Sequence, residues 1–447
     1  MNPRSRSLSA TAQLCAAPGV SILVSRPRAG VIQLQAGMAN LEHGVPIGPD
    51  TAFNVGSVAK QITAHLVLLA VEAGQLALDQ PVASFLPLLR IGDITIADLI
   101  THGSGLRDVE SLLSLVGFRD LDHYTVDDLV NLAYRQQQRA VPAGRFLYSN
   151  TNYLLLAEIL RAVHGADLAH VARAQLFLPL GMTSTHFKTD PRQVVANAAS
   201  AYEPTPDGWQ HTARPAALPG PGALWTTPAD LDRWLDHLGT RWHRSGAELP
   251  RANNLRYMAA DQLPYLYGAG LYADDRPGRR AVFHYGHEQG FSAAARLDAT
   301  GVRLVCLSNS RTVAADRVAA SLRAELRGES IGHLESMLAK AVETTRGDPG
   351  EANHQTVDGG QAGADRHADL GMFVCSDVPG SLRLTRVCGH LHLWRRGTYN
   401  RLVRTGSRTH AGPGYQLTLS SADRGDSTPK SFTLDLIRAP RLHYTRQ

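Results

Sequence analysis

Ser57 and Lys60 stand three residues apart in "FNVGSVAKQITAHLVLLAVEAGQL", residues 53–76, where an apolar helical pattern begins. Positions i and i+3 of a helix share a face, so this hydroxyl and this amine would be neighbours. The first turn of a helix carries partial positive charge and free backbone N–H groups. That environment stabilises an alkoxide and, together with burial, disfavours a protonated lysine. A lysine held neutral can take the serine's proton, and the serine can then attack a carbonyl carbon. Taken alone, the pair reads more readily as a capping serine and a snorkelling lysine. The choice of lysine is nevertheless informative. The chain has only four, Lys60, Lys188, Lys340 and Lys430, and arginine supplies the other 41 positive charges. Arginine stays charged at any working pH and could not accept a proton here.

Two further clusters carry polar groups with chemical potential. "PAGRFLYSNTNYLLLAEIL" places Tyr148, Ser149 and Asn150 just ahead of a helical pattern. A tyrosine oxygen held near another helix's N-terminus can relay a proton to a leaving group or activate a water. A packing tyrosine followed by an asparagine cap is the structural alternative. "FHYGHEQGFSA", residues 283–293, reads as a strand holding His284, Gly286 and Gly290. Glycine inside a strand marks close approach of a ligand or another backbone. An edge strand beside the serine would offer a backbone N–H as half of an oxyanion hole; a histidine-rich turn is the alternative.

In this order the three clusters resemble the penicillin-recognising serine hydrolases: class C β-lactamases, D-alanyl-D-alanine carboxypeptidases, D-aminopeptidases and related esterases. The family motifs S-x-x-K, Y-x-N and K-T-G or H-x-G are met by "SVAK", "YSN" and "HYG". The flanks "THGSGLRD", "LFLPLGMTSTHF", "GALWTTPADLDRWL" and "YGAGLY" resemble it too, from about Gly19 to Asn309. The resemblance implies Ser57 as nucleophile, Lys60 as its base or proton shuttle, and Tyr148 as general base or acid. It implies that Asn150 orients the substrate amide and the lysine, and that the backbone N–H groups of Ser57 and His287 form the oxyanion hole. His284 and Gly286 belong to the substrate-binding third motif. The reaction implied is an acyl-enzyme released by water, with no metal and no cofactor. His284 stands where many members carry a lysine that helps hold a substrate carboxylate. A histidine is mostly neutral at pH 7, and H-x-G is the pattern of D-aminopeptidases and some esterases. The expected activity is therefore a D-aminopeptidase-like peptidase. An esterase, a β-lactamase or a D-Ala-D-Ala carboxypeptidase are the alternatives within the family, and a non-catalytic binding protein on the same fold is the alternative outside it.

The elements that must position these groups follow from periodicity. "GVSILVSR" and "GVIQLQAGMANL" read as a hairpin, residues 58–73 as a helix stopped by Gly74, and "TIADLI" as a short helix. "TVDDLVNLAYRQ" has Thr125 as a cap with two acids in the first turn. "NTNYLLLAEILRAVHG" and "TPADLDRWLDHLG" are further helices, and "AVFHYGHEQGFSAAARLDATGVRLVCLSN" alternates as strands joined at "DATG". "RVAASLRAELRG" reads as a helix after that sheet. Strands at both ends with helices between them give an α+β class, and the resemblance implies a β-lactamase-like antiparallel sheet flanked by helices plus a helical subdomain. Residues 1–343 are expected to form this hydrolase domain. Residues 344–368, rich in Gly, Asp and His, read as a flexible linker. Residues 369–447 alternate in about six short segments and are expected to form a small all-β partial barrel; D-aminopeptidases of the family carry such domains behind the hydrolase.

Bulk properties exclude several other classes. The four cysteines, Cys15, Cys306, Cys375 and Cys388, are scattered with no C-x-x-C pair, so a zinc ribbon or thioredoxin-like centre is unsupported. "HEQGF" lacks the second histidine of a zincin, and "HLH" at 390–392 reads as strand-face histidines. No apolar run is long enough for a membrane span and no signal peptide is read, so a cytoplasmic location is expected. Twelve Lys and Arg against five Asp from Asp369 onward give that tail +7, leaving −2 for the rest of a chain of net charge +5. A basic module for nucleic acid would need this charge on a binding face; a solvated strand surface is the simpler reading. The expected partner is a small molecule or a short peptide or ester substrate, with no nucleic acid and no membrane.

Overall fold

The computed structural model of the chain describes residues 16–27, 30–116, 123–212, 216–245, 257–258, 264–321, 367–395, 398–420 and 428–447. Eight antiparallel strands form the central sheet. They are β1 (Val20–Arg26), β2 (Gly30–Ala36), β3 (Tyr257–Met258), β4 (Pro264–Gly268), β5 (Leu271–Asp274), β6 (Ala281–Glu288), β7 (Phe291–Asp298) and β8 (Arg303–Ser308). Their spatial order is β3-β4-β5-β6-β7-β8-β1-β2. The N-terminal hairpin thus joins the sheet beside β8, with Ile22 opposite Cys306 and His284 opposite Ala295. Period-two alternation sends Ala293, Ala295, Val305 and Leu307 to one face and Ala294, Leu304 and Cys306 to the other. Both faces are covered, which is why these strands carry few polar residues.

The helices are α1 (Ala59–Glu72), α2 (Ile96–Ile100), α3 (Val109–Val116), α4 (Val126–Tyr134), α5 (Asn150–His164), α6 (Leu168–Ala172), α7 (Pro228–Ser245) and α8 (Ala315–Ser321). Leu231, Trp234, Leu235 and Leu238 of α7 join the core of the first sheet face, together with α1 and α5; Ala315, Val318 and Ala319 of α8 cover the second. Every residue from Ala59 to Val67 is buried, so α1 runs through the middle of the core. Thr95 and Thr125 close capping boxes with Asp98 and Asp128. Gly165, in the left-handed region at φ +67°, ends α5.

The C-terminal sheet has nine strands: β9 (His367–Cys375), β10 (Val378–Val387), β11 (His390–Arg395), β12 (Thr398–Arg401), β13 (Val403–Arg404), β14 (Thr409–Gly412), β15 (Tyr415–Leu419), β16 (Ser431–Leu436) and β17 (Ala439–Arg446). Their order, β12-β11-β10-β9-β17-β16-β15-β14-β13, puts two sequence neighbours at the two edges, so the sheet curls into a nearly closed barrel.

Four local readings are corrected. About six strands become nine: "LRLTRVCGHLHLWRRG" turns at Cys388 and Gly389, both at positive φ, "YNRLVRTG" divides between β12 and β13, and Thr409–Gly412 forms β14. Gly37, at φ +82°, breaks "GVIQLQAGMANL" into β2 and a short strand Met38–Asn40 that pairs with Val45–Pro46. Gly290 lies in the β6–β7 turn at φ +73°, whereas Gly286 is in β6. Nor is β6 an edge strand: it lies between β5 and β7. Its second half, from His284, pairs with β7 alone, because β5 reaches only Phe283. The linker read at 344–368 lies outside the described residues up to 366, while its last two residues begin β9; any continuation of α8 past Ser321 also lies outside the described residues.

Candidate active site

Ser57 sits in a single 3-10 turn, Gly56–Val58, that feeds directly into α1. Gly56 adopts φ +48°, a conformation that favours glycine. Lys60, one turn on, is completely buried. Its Nζ lies 2.9 Å from Ser57 Oγ, 2.8 Å from Asn150 Oδ1 and 2.8 Å from the carbonyl of Pro221. The last two oxygens can only accept. They fix two N–H bonds, so in a neutral amine the lone pair is left pointing at the Ser57 hydroxyl.

Burial pushes the Lys60 amine from its ordinary 10.5 down to about 7; the negative charge of Glu110 opposes this and the positive charge of Arg438 adds to it. Asp108 and Glu288 act in the same sense as Glu110. Near neutral pH a large fraction of this amine is therefore free to accept a proton.

Tyr148 is buried, its phenol hydrogen-bonded with the Ser57 side chain and its ring centroid 5.0 Å from Lys60 Nζ. Burial pushes this phenol well above its ordinary value, against the hydrogen bond with Ser57 and the charge of Arg438. It is a neutral phenol at pH 7, and the group can give a proton or pass one on.

Asn150 is the first residue of α5, and Ser149 holds the cap position with no side-chain cap bond. The asparagine side chain is used otherwise: its Oδ1 accepts from Lys60 and its Nδ2 donates to Glu110. Its backbone N–H donates to Asp108 Oδ1 at 2.6 Å. Asp108 also accepts from the backbone and hydroxyl of Ser111, both at 3.1 Å, so it caps α3 while anchoring α5.

His284 is buried among the rings of Tyr148, Tyr267 and Tyr272. Burial, with the charge of Lys60 adding to it, drives its pKa to about 3. It is a neutral ring at pH 7 and cannot supply the positive charge of a lysine at this position. Gly286 brings β6 against the loop before the serine. A Cβ there would stand 1.9 Å from Val55 O and 3.1 Å from Ser57 N, and one on Gly56 would stand 3.1 Å from His287 N. The backbones of Ser57 and His287 therefore pass within direct reach of each other. The side chain of His287 is exposed and points elsewhere, its Nε2 3.8 Å from Asp316.

Ser57, Glu110, Asn150, Leu218, Pro221, Gly222, His287 and Glu288 line a narrow cleft. The acids Asp108, Glu110 and Glu288, and Arg438 from the C-terminal sheet, were not singled out by the sequence reading. Asp108-x-x-Ser111 ahead of an apolar run is a cap signal that could have placed the start of α3; nothing local marks the rest. Leu218 and Glu288 also line a neighbouring cavity of about 560 Å³. Trp225 and Phe291 give it aromatic walls, and Lys188, Nζ 5.4 Å from the Trp225 ring, gives it a cation.

A hydroxyl, a buried amine and a phenol brought together over a cleft with two converging backbone segments can carry out acyl transfer. The chain is similar to several known proteins. D-aminopeptidase of Brucella canis is 25% identical over 276 residues, which cover 61% of this chain and 52% of that protein. The chain thus spans about half the length of the curated relatives it matches. The structure of D-amino acid amidase from Ochrobactrum anthropi SV3, in complex with L-phenylalanine amide, superposes with a TM-score of 0.57 at 22% identity, covering 74% of this chain and 95% of that one. The octameric penicillin-binding protein homologue from Pyrococcus abyssi superposes with a TM-score of 0.57 at 20% identity and covers 96% of each chain, the C-terminal sheet included. The beta-lactamase family model matches residues 9–328, most of the chain, and the protein belongs to that family.

Proposed function

We infer that the chain is a serine hydrolase that cleaves amide bonds in substrates with a free amino group, in the manner of a D-aminopeptidase. Residues 1–343 are its hydrolase domain and residues 369–447, with the two residues that begin β9, a β-domain packed on α3 and α4. The observation that carries the reading is the Lys60 amine, buried and poised near neutrality 2.9 Å from the Ser57 hydroxyl. In acylation, Lys60 takes the Ser57 proton as Oγ bonds to the substrate carbonyl carbon. The backbone N–H groups of Ser57 and His287 receive the developing oxyanion. The C–N bond then breaks, Tyr148 passes a proton to the leaving nitrogen, and the phenol is restored from the Lys60 ammonium. Water, deprotonated along the same path, releases the acyl group. Asn150 keeps the amine aimed at Ser57.

The preference for an amine comes from Glu110 and Glu288, whose carboxylates line the cleft beside Ser57. An ammonium group is held there by charge-assisted hydrogen bonds. The curated relatives named D-aminopeptidase and the fold shared with a D-amino acid amidase support the same class.

The test sets D-alanine p-nitroanilide beside p-nitrophenyl acetate, with Ser57→Ala as the blank. Anilide cleavage that vanishes in the blank is the expected result. Cleavage of the ester alone would replace the peptidase with an esterase at the same serine. Reaction of neither, with no fluorophosphonate adduct on Ser57, would leave a binding protein on a hydrolase fold.

A further inference from the structure

The C-terminal sheet reaches the cleft through one turn. Ile437 and Arg438 join β16 to β17, and the carbonyl of Arg438 accepts from the backbone N–H of Asp108 at 2.9 Å. Asp108 accepts from Asn150 N–H at 2.6 Å, and Asn150 Oδ1 accepts from Lys60 Nζ at 2.8 Å. A continuous hydrogen-bonded path therefore runs from this turn to the amine beside Ser57. Arg107 fixes the turn from the other side. Its guanidinium donates to the carbonyls of Pro440 at 2.8 Å and Arg441 at 2.9 Å.

So anchored, the turn, exposed itself, puts a charge beside the site. Arg438 Cζ is 5.0 Å from the centroid of the Tyr148 ring, and Lys60 Nζ is 5.0 Å from the same centroid. Two cationic side chains thus share one aromatic ring. The other groups around Lys60 are the carboxylates of Glu110, Asp108 and Glu288, the buried rings of His102 and His284, both neutral, and the phenols of Tyr148 and Tyr153. Three carboxylates favour an ammonium at Lys60. A guanidinium, charged at every working pH, works against them.

We propose that Arg438, held beside the Tyr148 ring by the C-terminal sheet, is a positioning residue that keeps the Lys60 amine free to receive the Ser57 proton. The β-domain is then part of the hydrolytic machinery and not only an appendage. This rests on the Ser57–Lys60 reading above and is independent of which substrate the enzyme prefers.

The experiment is the rate of fluorophosphonate labelling of Ser57 as a function of pH, in the full chain, for wild type, Arg438→Gln and Arg438→Lys. The wild-type rate should rise through a limb near pH 7, where Lys60 loses its proton. In Arg438→Gln the limb should move to higher pH, with labelling slowed at least about twofold on the acid side and the same alkaline plateau. Arg438→Lys, which keeps the charge, should return the limb towards wild type. A purely structural role would lower the rate at every pH without displacing the limb. If Arg438→Gln does not fold, Arg438→Met takes its place. A limb that stays put in the uncharged variant, or a uniform loss that lysine does not restore, overturns the inference and leaves the hydrolase reading intact. A wild-type chain that takes up no label overturns both.

Discussion

Burying Lys60 completely sets stability against chemistry at a single residue. Its pKa falls from 10.5 unfolded to about 7 folded, so between these values the unfolded chain binds the extra proton. Stability contributed by this group therefore rises with pH across that window and is lowest below pH 7. Lys60→Met replaces the amine with an apolar chain of similar length. It should abolish labelling of Ser57, and its stability relative to wild type should be greatest at pH 6. That advantage should shrink by roughly 3–4 kcal/mol towards pH 10. Urea unfolding of both proteins at the two pH values measures it, and a difference that ignores pH would mean that Lys60 is not titrating as described. That Ser57, Lys60, Tyr148 and Asn150 lie together was legible in the sequence because each motif is local, a few residues read on one turn. Glu110 and Glu288 were not, since a carboxylate acquires a role in a cleft only from what the fold sets opposite it.

At the scale of elements, the site depends on how closely β6 approaches the turn that carries Ser57. Gly286 permits that approach, with Val55 O where a Cβ would go. Gly286→Ala should force the strand away, destabilise the protein by about 3 kcal/mol and slow Ser57 labelling at least about a hundredfold. Gly74→Ala is the contrasting change. Gly74 also has positive φ, +70°, but nothing lies within 4 Å of an added Cβ. It should cost about 1 kcal/mol through backbone strain alone and leave labelling unchanged. Equal effects from the two would show that close approach at β6 is not what the glycine provides. The starts of α2 and α4 were readable because caps are written in sequence, Thr95 and Thr125 each having an aspartate three residues on, while α3 and α6 went unread although Asp108 and Asp167 cap them. Strand breaks at Gly37 and at Cys388–Gly389 were not, because a chain reversal leaves the apolar alternation on either side intact. The half-paired state of β6 was equally hidden, since it is set by where β5 stops and not by any residue of β6.

Across the whole molecule, the two sheets are held together by contacts that a sequence does not display. Apolar residues of α3 and α4, such as Leu112 and Leu129, share one core with Phe373, Leu384 and Leu434 of the C-terminal sheet. Within that interface Arg107 and Asp377, 270 positions apart, form an ion pair at 3.1 Å with both side chains largely buried. The excess of arginine in the tail read as a solvated surface, yet Arg395, Arg438 and Arg441 of that tail all reach the first part of the chain, at the Ser114 carbonyl, the Tyr148 ring and the Ala140 carbonyl. The composition gave the number of charges but not which face they occupy. Removing one partner of a buried pair leaves the other charge without compensation, which costs about 3–5 kcal/mol, whereas removing both often costs little. Asp377→Ala should therefore lower stability by about that amount in guanidinium denaturation, and Arg107→Met, which also strips the carbonyls of Gln138, Pro440 and Arg441 of their donor, should cost at least as much. Because Arg107 also holds the carbonyls of Pro440 and Arg441, Asp377→Ala should in addition loosen the turn that carries Arg438 and slow Ser57 labelling at pH 6 more than at pH 9. A variant within about 0.5 kcal/mol of wild type, a range ordinary for surface substitutions, would mean that this pair does not couple the β-domain to the cleft.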